Sequence, residues 1–340
     1  MTLPPRDDDP QFRDLLDRVG KLPRSIEPER DLWPGIKDRL SKREVRSAKW
    51  QWWVVPLAAA AVLVVAIGIR SWRGGEAGSW AVLRLAGRPL VGDAHLAGSG
   101  RIRVGDWLTT DDSSRAMIAV GDIGEVEVQP GSRVRLVQAR ATEHRLALDH
   151  GVIAAKVDAP PRLFFVDTHA GTAIDLGCAY TLAVDSAGSG LLRVTAGYVE
   201  FQWQGRRSIV PLGASVATRP GMGPGIPVVA DAPAALRAAL ASFDFAAGGA
   251  TAVRRALTAA RAEDAVSLWH LLERVDPAQR AAVFDRLANL FPPPAGVTRD
   301  GVQRLDSAQL EAYWKVIKRA AWRREILRSI GKRDGGSGTR

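Results

Sequence analysis

The sequence predicts a multi-domain, membrane-anchored protein with a single transmembrane helix, an all-β domain of the sandwich or roll type, and an all-α C-terminal domain. Three observations predict this fold class. Residues 52–69 form an uncharged apolar run, residues 80–229 hold short runs with a period of two, and an alanine-rich region with helical spacing follows residue 233. The predicted domains are therefore residues 1–51, 52–69, 70–230 and 231–340.

Composition excludes several classes of protein. The 340 residues have room for about two domains, and an apolar fraction of 46% with 25% charged residues is typical of globular chains. The formal charge is +10, but no zinc-finger, ribonucleoprotein or basic-zipper pattern accompanies it. We therefore expect no direct nucleic-acid partner.

The residues that carry most metal and covalent chemistry are sparse. Cys178 is the single cysteine, so the chain forms neither an intrachain disulfide nor a cysteine-based metal site. No two of the five histidines have the spacing of a helical metal site, and no nucleophile elbow or paired-carboxylate pattern occurs. We expect no metal, no cofactor and no enzymatic activity.

The run from Trp52 to Ile69 has 18 uncharged residues. As a helix it is about 27 Å long, close to a hydrocarbon core, and Pro56 falls in its first turns. A buried helix of a soluble protein rarely lacks charges over this length, and a signal peptide would not follow 50 polar residues. The run predicts a transmembrane helix and hence a lipid bilayer as partner.

Positive charges on either side of this run predict its orientation. Six cations precede it within about 15 residues, whereas Arg70, Arg73 and Arg84 follow it. The positive-inside rule then predicts an inner-membrane protein that crosses once, with a cytoplasmic N-terminus and a periplasmic C-terminus.

Residues 1–51 are too few for a sizeable core but carry two short amphipathic patterns. Leu32, Trp33, Ile36 and Leu40 form the apolar side of the second one. These residues either pack within the segment or on the membrane surface, or they form a docking face for a cytoplasmic partner.

Seven short strand-type runs, separated by Gly, Asp, Pro and Ser, predict the β domain. Five glycines are expected at turns or bulges that require a positive φ, namely Gly105, Gly131, Gly151, Gly171 and Gly197. His150 and His169 are each expected to be a hydrogen-bonding histidine on a turn between strands rather than a catalytic group.

Five motifs of this domain carry a resemblance to a known family. They are residues 104–110, 148–153, 165–171, 176–182 and 193–199, and in this order they resemble the FecR-type domain over about residues 87–213. That resemblance implies the periplasmic part of an inner-membrane regulator of cell-surface signalling. Cys178 stands where the family usually has threonine, a replacement of similar size.

The helical spacing of apolar residues in the C-terminal region predicts a small helical bundle or a pair of helix hairpins. Asp276 before Pro277 predicts a helix start, and Asp306 with Gln309 predicts a capping box. Members of the FecR family usually end in a βαβ module that engages an outer-membrane receptor, and this chain departs from that pattern. The basic last helix, about residues 307–330, either presents a solvated face or contacts anionic lipid or polymer.

Two functions follow as expectations. The first, which the family resemblance implies, is a regulator whose outer domain senses a periplasmic or outer-membrane protein or polymer and relays the signal to a cytoplasmic sigma factor through residues 10–45. Leu32, Trp33, Ile36 and Leu40 are the expected docking residues for that partner. The second is a non-signalling envelope scaffold that binds periplasmic protein or polymer.

Overall fold

The computed structural model describes residues 78–334. The predicted stub, the predicted span at 52–69, and the docking residues Leu32, Trp33, Ile36 and Leu40 lie outside the described residues. The strands, in chain order, are β1 (Ser79–Ala86), β2 (Leu90–Val91), β3 (Ala94–His95), β4 (Ser99–Arg103), β5 (Trp107–Thr109), β6 (Arg115–Val120), β7 (Gly124–Val128), β8 (Arg133–Arg140), β9 (Glu143–Val157), β10 (Phe164–Thr168), β11 (Gly171–Asp175), β12 (Ala179–Val184), β13 (Gly190–Ala196), β14 (Tyr198–Trp203), β15 (Arg206–Pro211), β16 (Ala214–Arg219), β17 (Gly223–Pro224) and β18 (Val228–Val229).

The strands form two ladders that share β9. The first runs β4, β1, β6, β7, β9, β12, β13 and β16, with β17 and β18 at its end. The second runs β3, β2, β5, β8, β9, β10, β11, β14 and β15. The β9–β10 pair is parallel. The second ladder therefore mixes parallel and antiparallel pairing.

The strand β9 changes ladder at Gly151. Residues before it pair with β8, whereas residues from Gly151 onward pair with β12. Gly151 has a φ of 96°, and a Cβ there would lie 2.2 Å from Ser132 Oγ, so only glycine fits. The prediction of a positive φ is confirmed at this position and at Gly105, Gly131, Gly171 and Gly197.

The fold-class prediction is wrong. In place of an all-β sandwich or roll, the structure has one large mixed sheet of 18 connected strands, followed by C-terminal helices. The physical reason is the 15-residue length of β9, which pairs in both ladders. Alternation of apolar residues reports which face of a strand is buried but not which strands are neighbours. Within residues 78–334, no helix has the length and apolar character needed to cross a bilayer.

In the described part of the chain, six helices and one 3₁₀ turn follow the strands. They are α1 (Ala234–Phe245), α2 (Gly249–Ala259), the 3₁₀ turn Ala262–Asp264, α3 (Ala265–Arg274), α4 (Pro277–Leu290), α5 (Arg299–Gln303) and α6 (Ser307–Asp334). The predicted start at Pro277 is confirmed. Half of the predicted capping box forms, since the Gln309 N–H donates to Asp306 Oδ1, but the Gln309 side chain instead accepts a bond from the Thr298 N–H.

Two apolar cores hold the described chain together. The first lies among the strands and includes Leu146, Phe164 and Phe201, all fully buried. The second lies among the helices around Leu268 and Trp269, and Ile209 of β15 packs against it. The helices thereby cover the β15 end of the second ladder.

Candidate functional site

The outer face of the second ladder is open between β9 and β14. Side chains alternate along each strand, so Phe164 and Val166 enter the core while Phe165 points away from it. In register, Arg145 of β9 lies beside Phe165, and Phe165 lies beside Ile174 of β11. This arrangement places polar, charged and aromatic groups of several strands on one surface.

That surface forms a cleft of about 590 Å³, which we call the arginine cleft. Most of its lining residues are polar or aromatic, and they come from β9, β10, β11, β14 and β15, from the loop before β10 and from the turn between β14 and β15. The lining residues are Arg145, Arg162, Phe165, Gly171, Thr172, Ile174, Gln202, Trp203, Gln204, Gly205, Arg206 and Arg207.

The guanidinium of Arg145 is fixed in the floor of the cleft. It lies 4.6 Å from the centre of the Phe165 ring, donates to Asp167 Oδ1 at 2.6 Å, and pairs with Glu143 at 2.7 Å. Thr172 Oγ1 donates to the same oxygen of Asp167 at 2.7 Å. Because both partners of Arg145 are in place, the group is held rigidly and is ready to present its remaining donors.

Arg162 reaches the cleft from a strained backbone position. Its φ is 66°, which is uncommon for a residue other than glycine. Its guanidinium is about half exposed and donates to Glu200 Oε2, while Gln202 Nε2 donates to Glu200 Oε1. The buried carboxylate of Glu200 thus orients two polar side chains towards the cleft.

Arg206 joins the arginine cleft to the helices. Its guanidinium donates to Oδ1 of the buried Asp244 at the end of α1, and Arg274 of α3 donates to the same oxygen at 3.1 Å. Burial raises the pKa of Asp244 and lowers that of Arg274 to about 10, while the charge of each opposes the shift of the other. Neighbouring Arg207 pairs with Glu273 of α3 at 3.5 Å.

Three side chains on one side of α3 form hydrogen bonds with backbone groups of β15 and of the loop before β18. His270 Nε2 accepts from the Ile209 N–H at 2.9 Å, Arg274 Nη2 donates to the Arg207 carbonyl at 2.8 Å, and Ser267 Oγ donates to the Pro227 carbonyl at 2.6 Å. Since β15 is the last strand of its ladder, these contacts cover an otherwise open edge. Burial lowers the pKa of His270 to about 3, and its positive neighbours Arg274 and Arg207 add to the effect.

A second buried polar group lies between β11 and β12. Cys178 Sγ donates to Asp175 Oδ2, and the Gly177 N–H donates to Asp175 Oδ1 at 2.6 Å. Burial raises the pKa of Cys178 far above its usual range, raises that of Asp175, and raises that of Tyr180 nearby. The protonated thiol is therefore a structural hydrogen-bond donor, as a threonine hydroxyl would be.

The two histidines singled out in the sequence converge on one carboxylate. His150 Nδ1 lies 2.9 Å from Asp149 Oδ2, and His169 Nε2 lies 3.7 Å from Asp149 Oδ1. His150 is within β9 rather than on a turn, which corrects that part of the prediction, while His169 follows β10. Over residues 78–334, no group of three ligand-type side chains could hold a metal ion.

The sequence did not reveal the arginine cleft. Arg145, Asp167 and Thr172 each occupy an outward position in a strand, which the alternation could have shown, but their proximity depends on the β9–β10 and β10–β11 pairs. The predicted docking residues Leu32, Trp33, Ile36 and Leu40 lie outside the described residues, so the structure does not relate them to this site.

Residues 106–200 match the family model described as FecR protein. The chain carries a FecR domain. This matched range begins just before β5 and ends within β14, so the FecR domain supplies Arg145, Arg162 and Phe165 to the arginine cleft. Arg206 and Arg207, which connect the cleft to the helices, lie beyond the end of the match at residue 200.

Two crystal structures of a candidate anti-sigma factor from Parabacteroides distasonis are similar to part of the chain. Each has 14% sequence identity and a TM-score of 0.33, and the similarity covers 39% of this chain. The chain spans 63% and 62% of the length of those two structures, which is less than two thirds. No curated protein matches the chain.

Proposed function

We propose that the protein is a regulator that relays a signal from the cell envelope to a cytoplasmic sigma factor. The observation that carries the proposal is the FecR match at residues 106–200, which supports a signalling rather than an enzymatic role. The arginine cleft supplies the FecR domain with a surface for a periplasmic or outer-membrane protein or polymer. Phe165 and Trp203 place aromatic rings there, and the arginines offer directed donors.

The path from the cleft to the helices supports a relay. Arg206 lines the cleft and also pairs with buried Asp244, so an anionic group bound at Arg206 would compete with a contact that fastens α1 and α3 to β15. A ligand changes the protein only when it binds two arrangements with different affinity. Because Arg206 would contact either the ligand or Asp244, the ligand would bind more tightly to the arrangement in which the Arg206–Asp244 pair is open.

The proposed contact with the sigma factor lies in residues 1–51. We propose that Leu32, Trp33, Ile36 and Leu40 dock the sigma factor, with Trp33 as the aromatic anchor. We also propose an inner-membrane location with the N-terminus in the cytoplasm and the FecR domain in the periplasm, on the strength of the cation asymmetry.

A capture experiment tests the sigma-factor proposal. Tagged full-length protein, solubilised from cells, should retain a sigma factor, and Trp33→Ala should weaken that binding about thirtyfold, equivalent to about 2 kcal/mol. Trp50→Ala is the matched control, since Trp50 is not one of the four docking residues, and it should bind normally. If neither the parent nor the Trp50→Ala form retains a sigma factor, the regulator proposal fails.

Location is tested separately with reporter fusions. A fusion after Gly75 should be active with a reporter that works only in the periplasm, and a fusion near Ser47 should be inactive. The opposite pattern would reverse both compartments.

A non-signalling envelope scaffold is the second candidate. The open shape and polar lining of the arginine cleft favour it, because an extended polymer or peptide could lie across strands β9 to β14. A scaffold would bind its envelope partner unchanged when Trp33 is replaced, and it would capture no sigma factor.

A further inference from the structure

The helix α6 exposes large apolar side chains on the surface of the protein. Val316 is 37% exposed, Trp322 is 49% exposed and Leu327 is 63% exposed. The opposite side of the same helix is buried in the helical core through Tyr313, where the exposed fraction is zero, and Ile317. The three outward apolar residues lie outside the buried helical core.

Three exposed cations share this outward face. Lys315, Arg319 and Arg323 alternate with the apolar residues, and none of the three forms an ion pair within the described part of the chain. At about 100° per residue, all six positions fall within an arc of about 140°. We call this surface, made of Lys315, Val316, Arg319, Trp322, Arg323 and Leu327, the basic apolar stripe.

Three further cations of α6 face the rest of the fold. Lys318 Nζ lies 4.1 Å from the centre of the Tyr198 ring, Arg328 pairs with Asp231, and Arg324 is half-buried, so that burial lowers its pKa. These six cations of the helix thus form two sets. One set fastens α6 to the rest of the fold, and the other set stands in solvent beside the apolar residues.

Charge complementarity identifies the partner. The stripe itself contains no acidic residue, and the nearest exposed one on this side, Glu311, lies one turn before Lys315. Interleaved cations and apolar side chains, with a tryptophan among them, are typical of helices that lie in the headgroup region of an anionic bilayer. The convex surface of a single helix suits a flat lipid surface better than a partner that inserts an anchor into a pocket.

We propose that the basic apolar stripe of α6 binds an anionic lipid surface, with Trp322 and Leu327 among the headgroups and the three cations on the phosphates. This contact goes beyond the proposed relay to a sigma factor. It would hold the helical region flat on the membrane and set the direction in which the arginine cleft faces.

Depth-dependent fluorescence on the full chain tests this proposal. Leu327→Cys carries an environment-sensitive dye, and buried Cys178 stays unlabelled. After reconstitution into vesicles, the dye should be shifted to the blue and quenched by lipid-attached nitroxide when phosphatidylglycerol is present. In vesicles of phosphatidylcholine alone, or at high salt, the dye should show neither the blue shift nor the quenching, as expected for a dye exposed to water.

Charge-removal variants make the test specific. Replacing Lys315, Arg319 and Arg323 together by Gln should lower the ratio of lipid-bound to free helix on the order of 100-fold, since each cation near such a surface contributes about fivefold. The matched control replaces exposed Arg193, Arg254 and Arg255 by Gln, which removes the same charge elsewhere and should leave the dye response unchanged.

Three results would overturn the proposal. They are equal shielding of the dye in both lipid compositions, exposure of the dye in both, and loss of the response in the control variant. Equal shielding would show that another part of the chain or a second copy covers the stripe. Loss in the control would show that total charge, not the stripe, controls binding.

Discussion

The imidazole of His270 on α3 accepts a hydrogen bond from the backbone N–H of Ile209 on β15, at 2.9 Å. The other ring nitrogen, Nδ1, donates to the Val266 carbonyl at 2.8 Å. With one nitrogen accepting and one donating, the ring must be neutral. This contact ties α3 to β15, the last strand of the second ladder.

Acid should weaken this contact in a defined pH window. The pKa of His270 is lowered to about 3 in the fold, against about 6.5 when unfolded, so the unfolded chain binds the extra proton first. The stabilisation is complete above about pH 6.5 and is lost as the pH falls towards 3. We expect His270→Gln to reduce the slope of unfolding free energy against pH by up to about 1.4 kcal/mol per pH unit in this window.

The measurement is urea unfolding of the full chain between pH 7 and pH 4.5. Ser267→Ala is the matched control, since it removes a neighbouring hydrogen bond of the same helix without a titratable group. It should lower stability while keeping the parent slope. An unchanged slope in His270→Gln would contradict the assignment.

Removing the Asp244 carboxylate should destabilise the protein strongly. Asp244→Asn leaves Arg206 and Arg274 at the junction without their counter-charge, and breaking a buried pair in this way costs about 3–5 kcal/mol. Glu127→Gln breaks the more exposed pair with Arg115 and should cost less than about 1 kcal/mol. Denaturant unfolding compares the two, and similar losses would show that the junction is not a buried charge cluster.

Gly197 should tolerate no side chain. A Cβ there would lie 2.0 Å from the Gly177 carbonyl oxygen, so the loop before Cys178 would have to move. Gly92 has a similar positive φ of 59° but nothing within 4 Å, so Gly92→Ala should cost only about 1–2 kcal/mol of backbone strain. Thermal unfolding should show a clearly larger loss for Gly197→Ala, and equal losses would argue against the close approach.

The thiol of Cys178 should be unreactive in the folded protein. It is buried, its pKa is raised, and it donates to Asp175, so little thiolate forms at pH 8. A thiol reagent should label the native chain very slowly and the urea-unfolded chain at once. The exposed Leu327→Cys variant serves as the control and should gain one fast-reacting thiol without urea. Fast labelling of the native parent chain would disprove the burial.

Several features could be predicted from the sequence because they depend on local chemistry. Only glycine adopts a positive φ without steric strain, so the glycine spacing correctly marked positions of positive φ, including Gly151 within β9 and Gly197 between β13 and β14. The motif order likewise identified the FecR domain, since it depends only on residues close together along the chain.

Tertiary structure decided everything that depends on which segments become neighbours. The alternation in β9 shows that Leu146 and Leu148 are buried, but the division of that strand between two ladders depends on partners far away in sequence. The arginine cleft likewise exists because β9, β10 and β11 lie side by side, and His270 is neutral because α3 covers the edge of β15. Periodicity determines the buried face of each element, whereas pairing is determined by long-range packing. For this reason the sequence predicted seven of the 18 described strands but not the single mixed sheet that joins them.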